Sequence, residues 1–81
     1  MIMPTKERVF ELLEGMTAME EISVYDELAG DLGLDSLGLI TLLVALEDAF
    51  QIELDESDLD PFALQTVDDI VRLAEKYMTA D

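Results

Sequence analysis

Apolar residues recur along the chain in stretches with helical spacing, and between those stretches the spacing fails. Val9, Leu12, Leu13 and Met16, with Phe10 beside them, fall on one side of a helix. Thr5 is placed to cap this helix, and Gly15, which accepts the left-handed conformation, to stop it after about Glu14. From Thr17 to Asp35 the period is lost, and Ile22, Val24, Leu28, Leu32 and Leu34 stand unevenly among Asp, Glu, Ser and Gly. The pattern predicts a long loop pinned to the core by those side chains. Loops of this length in compact domains are uncommon and tend to be functional.

Periodicity returns at Ser36 and holds to about Phe50. Leu39, Leu42, Leu43, Leu46 and Phe50 make one broad face. A second apolar set, Leu37, Ile40 and Val44, follows at offsets of three and four, so it lines up on another side. A helix apolar nearly all round either lies in the middle of a protein or exposes an apolar strip. With 81 residues full burial is difficult. The strip therefore either serves a partner or packs beneath the long loop, and both remain open.

Beyond Phe50, Gln51 to Leu54 reads as a short extended stretch, and Asp55 to Asp60 as one or two helical turns stopped by Pro61. Thr66 begins the last helix. Thr66 and Asp69 have capping-box spacing, with Asp where Glu or Gln is usual. Val67, Ile70, Val71, Ala74 and Met78 form its expected buried stripe, with Tyr77 at the edge. These elements predict an all-α fold: a small antiparallel four-helix bundle with a long first loop and a short third helix, residues 1–81 forming one domain.

Composition narrows the chemistry. Hydrophobic residues make up 51% of the chain, enough for a core and too many for a disordered acidic tail. There is no cysteine, so no disulfide and no thiol of the polypeptide's own. There is no histidine, which removes the commonest general base and the commonest metal ligand. The net charge is −16, and no basic residue occurs between Val9 and Val71. That field repels nucleic acid and anionic lipid, keeps the chain soluble and draws basic protein surfaces. No apolar run approaches a membrane span and the first residues hold no secretory h-region, so a cytoplasmic, monomeric protein without membrane or nucleic-acid partners is expected.

Ser36 opens the second helix, where free backbone N–H groups and the helix dipole receive a phosphate well. The same position suits a plain N-cap serine, and taken alone the motif favours the cap.

The wider stretch changes that weighing. Asp31-Leu32-Gly33-Leu34-Asp35-Ser36-Leu37, followed by Leu42 to Phe50, resembles the acyl carrier protein family. Gly33, Asp35, Ser36 and Leu37 match its Gly-x-Asp-Ser-Leu motif. Ile22-Ser23, Leu28, Phe50 with Ile52, and Thr66 to Val71 extend the resemblance over nearly the whole chain. The resemblance implies that Ser36 carries covalent 4′-phosphopantetheine, taken from coenzyme A by a separate phosphopantetheinyl transferase. The arm's thiol then holds acyl groups as thioesters, with no catalytic residue in the carrier. Asp35 and Leu37 flank the attachment point. Asp35 either holds Mg²⁺ or a transferase group, or serves only the electrostatics of the helix end.

The resemblance also makes the second helix a partner face. Leu37, Ile40, Thr41 and Val44 would meet acyl-loading and acyl-processing enzymes, with Glu47 and Asp48 facing their basic patches. Gly38, Thr41 and Ala49 stand where the fatty-acid pattern has acidic residues, so the resemblance leaves both fatty-acid synthesis and a specialised lipid or polyketide pathway open. A peptidyl or aminoacyl carrier is the nearest alternative, and an acidic adaptor without a prosthetic group is the alternative from another class. A calcium-binding EF-hand loop does not fit. It needs glycine at its sixth position and glutamate at its twelfth, but counting from Asp31 gives Ser36 and Leu42, and from Asp55 gives Asp60 and Thr66. No metal site is expected, although clustered carboxylates suit loose divalent-ion binding.

Overall fold

The computed structural model describes residues 4–17, 21–58, 60 and 63–79. Three α-helices account for most of them: α1 (Thr5–Thr17), α2 (Ser36–Phe50) and α3 (Val67–Thr79). Between α2 and α3 a 3₁₀ turn spans Glu56–Asp58. The described residues form an all-α fold with no strand, only an isolated bridge between Glu27 and Thr66. The expected short third helix is thus one 3₁₀ turn, and a four-helix count is not reached among the described residues. Leu59 and the expected stop at Pro61 lie outside them.

α1 differs from expectation at both ends. Its first turn is closed by Arg8 N–H donating to Pro4 O, so Thr5 is a helical residue and not the cap. It continues through Gly15 to Thr17, whose hydroxyl donates back to Leu13 O at 2.8 Å. Gly15 keeps an ordinary helical φ, because glycine permits a stop without enforcing one.

α1 packs on both α2 and α3 around one core. Val9 and Leu13 meet Leu39, Leu42, Leu43, Leu46 and Phe50 of α2 and Val67, Ile70, Val71, Leu73 and Ala74 of α3. The α3 stripe is centred slightly earlier than expected. Leu73 is buried, the edge passes through Tyr77, and Met78 is left 42% exposed. Arg8 ties α1 to the end of α2: its guanidinium lies 4.1 Å from the Phe50 ring centre and donates to Ala49 O, where helix carbonyls are unpaired.

The long loop is pinned by four of the five expected side chains, with Leu28 and Leu32 in the core and Ile22 and Leu34 packed against it, while Val24 is half-buried outside that cluster. Backbone pairing adds a second restraint. Leu28 N–H donates to Gln65 O, Val67 N–H to Asp26 O and Asp68 N–H to Val24 O. The loop's carbonyls therefore satisfy two free N–H groups at the start of α3. The capping box operates too: Thr66 N–H donates to Asp69 Oδ2 at 3.0 Å, and Asp69 N–H to Thr66 Oγ1 at 3.4 Å. Asp69's carboxyl is held below its ordinary range, chiefly by the Thr66 backbone N–H.

Candidate functional site

The loop enters α2 through Gly33, whose φ of +72° lies in the left-handed region that glycine adopts freely. The turn lets Leu34 N–H reach back to Leu28 O, and Leu34 packs half-buried against the core. Asp35 follows in extended conformation as the N-cap of α2, its Oδ1 accepting from Gly38 N–H at 2.8 Å. Gly38 makes this closure easy, since a Cβ there would sit 3.3 Å from both Asp35 Oδ1 and Leu34 Cδ2.

The capping carboxylate settles which residue ends the helix. Ser36 is the first helical residue and not its cap. Its hydroxyl is exposed and makes no hydrogen bond among the described residues. The backbone N–H groups of Ser36 and Leu37 likewise have no acceptor among them. Ser36 thus presents a free nucleophilic oxygen beside two free N–H donors at the positive end of a helix, a setting receptive to a phosphodiester. The chain has two other serines. Ser23 Oγ is occupied by Tyr25 N–H, and Ser57 lies within the 3₁₀ turn.

A cleft of ≈590 Å³ opens beside Ser36. Leu34, Leu39 and Leu64 supply its apolar walls, and Glu27, Asp35 and Gln65 its polar lining. Leu39 lies one helical turn beyond Ser36, which places it along the path of anything tethered there. Nothing in the spacing of apolar residues marked this cleft. It arises because the bridge between Glu27 and Thr66 brings loop and α3 entry opposite the start of α2. Residues and space together fit a phosphopantetheine arm.

Of the expected partner face, Leu37, Ile40 and Val44 are exposed by 71%, 47% and 58%. They do not pack beneath the loop. Thr41 is exposed too, its hydroxyl donating to Leu37 O within the helix. Asp48 is exposed. Glu47 is half-buried, and its Oε2 accepts from Leu54 N–H at 2.9 Å.

A polar clasp not foreseen from sequence closes the connector on α3. Tyr77 OH donates to Asp58 Oδ2 and accepts from Asp55 N–H, while Lys76 Nζ stands 3.1 Å from Asp58 Oδ2. Hydrogen bonds from Tyr77, then Lys76, hold the Asp58 carboxyl below its ordinary value, and the same contacts raise Lys76 and Tyr77. No helix among the described residues is long and apolar enough to cross a membrane. Among those residues no three acidic side chains group closely enough to hold a metal ion.

Comparison with known proteins gives the family. Residues 7–74 match the family model described as a phosphopantetheine attachment site. The chain is 34% identical over 71 residues to an acyl carrier protein of Desulforapulum autotrophicum, covering 88% of each. It is 34% identical over 82 aligned positions to an acyl carrier protein of Thermotoga maritima, covering 94% of this chain and 99% of that one. In fold it is similar to a crystal structure of an acyl carrier protein from Thermotoga maritima, with a TM-score of 0.77 over 94% of this chain and 92% of that one, at 20% identity. Free serine, receptive helix start, adjoining cleft and family match converge: the chain belongs to the acyl carrier protein family, whose members are carriers and not enzymes and whose phosphopantetheine attachment domain bears covalent 4′-phosphopantetheine.

Proposed function

We propose that Ser36 Oγ is the attachment point and that the protein tethers acyl intermediates there as thioesters. One observation carries the assignment: Asp35 does the capping, which leaves the Ser36 hydroxyl exposed and unbonded at the helix start. In the loading step, Ser36 Oγ bonds to the phosphorus that links pantetheine to the rest of coenzyme A. The P–O bond to the adenosine bisphosphate breaks, and its electron pair leaves with that group. The serine proton passes to a base on the transferase, because this chain has no histidine and Asp35 is engaged with Gly38. The N–H groups of Ser36 and Leu37 and the dipole of α2 favour the resulting phosphodiester. Once bound, the arm supplies the thiol that the polypeptide lacks.

Partners on this reading are a phosphopantetheinyl transferase and acyl-loading and acyl-processing enzymes. They approach the face made by Leu37, Ile40, Thr41, Val44 and Asp48, and net charge speeds their encounter. Residues 1–81 act as one cytoplasmic, monomeric domain. Gly38, Thr41 and Ala49 leave α2 poor in charge, which favours a specialised lipid or polyketide pathway over bulk fatty-acid synthesis.

The test is transfer itself. The unmodified protein, incubated with coenzyme A and a broad-specificity transferase, gains one phosphopantetheine by intact mass, and Ser36→Ala gains none. A protein that starts unmodified and resists two different transferases would move the acidic-adaptor reading to the front.

A further inference from the structure

Glu27, on the wall of the cleft beside Ser36, stands apart from the carboxylates around it. Four of those are committed to backbone donors. Asp26 Oδ2 accepts from Ser23 N–H, Asp31 Oδ2 from Glu27 N–H, Asp35 Oδ1 from Gly38 N–H, and Asp69 Oδ2 from Gln65 and Thr66 N–H. The Glu27 carboxylate has no partner among the described residues. Its backbone is nevertheless firmly held: Glu27 O accepts from Asp31 and Leu32 N–H, and the bridge to Thr66 ties it to the entry of α3. Gly30 also lines the cleft, and its φ is not positive, so its backbone does not call for glycine. The space beside it does, because a Cβ there would lie 2.8 Å from Glu27 Oε1. The missing side chain at Gly30 lets the free carboxylate lie along the cleft wall.

We propose that the cleft holds the inner half of the arm at rest, and that Glu27 is a positioning residue that accepts a hydrogen bond from the arm's first amide N–H. The proposal rests on Ser36 being the attachment point. Outward from its phosphate, the arm carries a carbon with two methyl groups, a hydroxyl and then that amide. The site offers a matching set of groups. The free N–H groups of Ser36 and Leu37 suit the phosphate, Leu34, Leu39 and Leu64 the methyls, and the Glu27 carboxylate the amide. Charge sets the direction, since Glu27 repels the anionic phosphate and the helix start attracts it. Weak contacts suffice, because a short tether holds its group at about millimolar effective concentration. The thiol and any acyl group lie further out along the arm, beyond these contacts.

The probe is the full chain, loaded by a broad-specificity transferase from coenzyme A isotopically labelled in its pantetheine portion. In the wild type the arm's paired methyl groups show nuclear Overhauser contacts to the methyls of Leu39 and Leu64. The first amide exchanges its proton about threefold more slowly than in free phosphopantetheine, as expected for one solvent-exposed hydrogen bond. Glu27→Ala removes the acceptor and Gly30→Ala pushes it aside, and each abolishes both features while the protein still folds. Glu14→Ala, which removes an exposed carboxylate outside the cleft, leaves both features unchanged. The proposal is overturned if the wild type shows no contact between those methyls and Leu39 or Leu64, or if the contacts survive Glu27→Ala. Equal loss in Glu14→Ala would overturn it too, by tracing the effect to net charge. A wild type that accepts no arm would instead refute the attachment reading.

Discussion

Asp35 and Ser36 divide two tasks that a single serine at a helix start commonly combines. Asp35 satisfies the N-terminal donor at Gly38, so the Ser36 oxygen is not needed for capping. Stability measurements can separate the two roles. Asp35→Ala should destabilise the protein by about 0.5–2 kcal/mol in urea unfolding. Ser36→Ala should stay within about 0.5 kcal/mol of wild type, as for a surface substitution that breaks no native contact. Equal losses from both would mean that Ser36 shares the cap. The Asp-Ser pair was legible in the sequence, but its division of labour was not. Both residues suit a helix start, and only the backbone, extended at Asp35 and helical from Ser36, decides between them.

At the scale of elements, α2 has two faces with opposite sensitivities. Leu46 is fully buried, so Leu46→Ala should cost about 2–5 kcal/mol. Val44 is 58% exposed, and Val44→Ala should remain within about 0.5 kcal/mol in the same denaturant titration. Similar losses at the two positions would contradict this division of faces. Helical spacing identified both faces, because period alone places Leu39, Leu42, Leu43 and Leu46 together and Leu37, Ile40 and Val44 apart from them. It could not say whether the second face was covered, since that depends on where the loop runs. The loop's path is set by backbone pairing of Asp26 and Leu28 with Gln65 and Val67, which leaves no trace in side-chain pattern.

The connector behaves likewise. Asp58, Lys76 and Tyr77 are polar residues far apart in sequence, and their clasp follows from tertiary approach. Its pH dependence has a definite sign. The Asp58 carboxyl titrates below its ordinary 3.8 when folded, so its contribution is complete above that value and is lost as pH falls through the lowered one. Tyr77 and Lys76 are raised from 10.0 and 10.5, so theirs is complete below those values and lost as pH rises through the raised ones. Tyr77→Phe should lower Tm at neutral pH and flatten the losses at both extremes. An unchanged pH profile would show that the clasp contributes nothing.

The molecule as a whole carries twenty acidic against four basic residues. The described structure keeps those cations at home. Arg8 stacks on Phe50, Lys6 lies over Phe10, Arg72 pairs with Asp68 and Lys76 with Asp58. Four cations cannot neutralise twenty carboxylates, and the excess negative charge repels itself across the surface. Screening should relieve that repulsion, so Tm rises on going from low ionic strength to about 0.5 M salt. Equal Tm values at both would show that the charge is accommodated without strain. On the proposed reading, the same field speeds a carrier's encounter with basic enzyme surfaces.

The central claim is that the arm is held at Ser36. It is tested most directly by loading the protein with a transferase and coenzyme A, and then mapping the modified residue by tandem mass spectrometry. Three serines compete for it: Ser23, Ser36 and Ser57. The account predicts a single phosphopantetheine on the peptide that spans Asp35-Ser36-Leu37, with Ser23 and Ser57 unmodified. An arm found on either of those, or retained by Ser36→Ala, would contradict it.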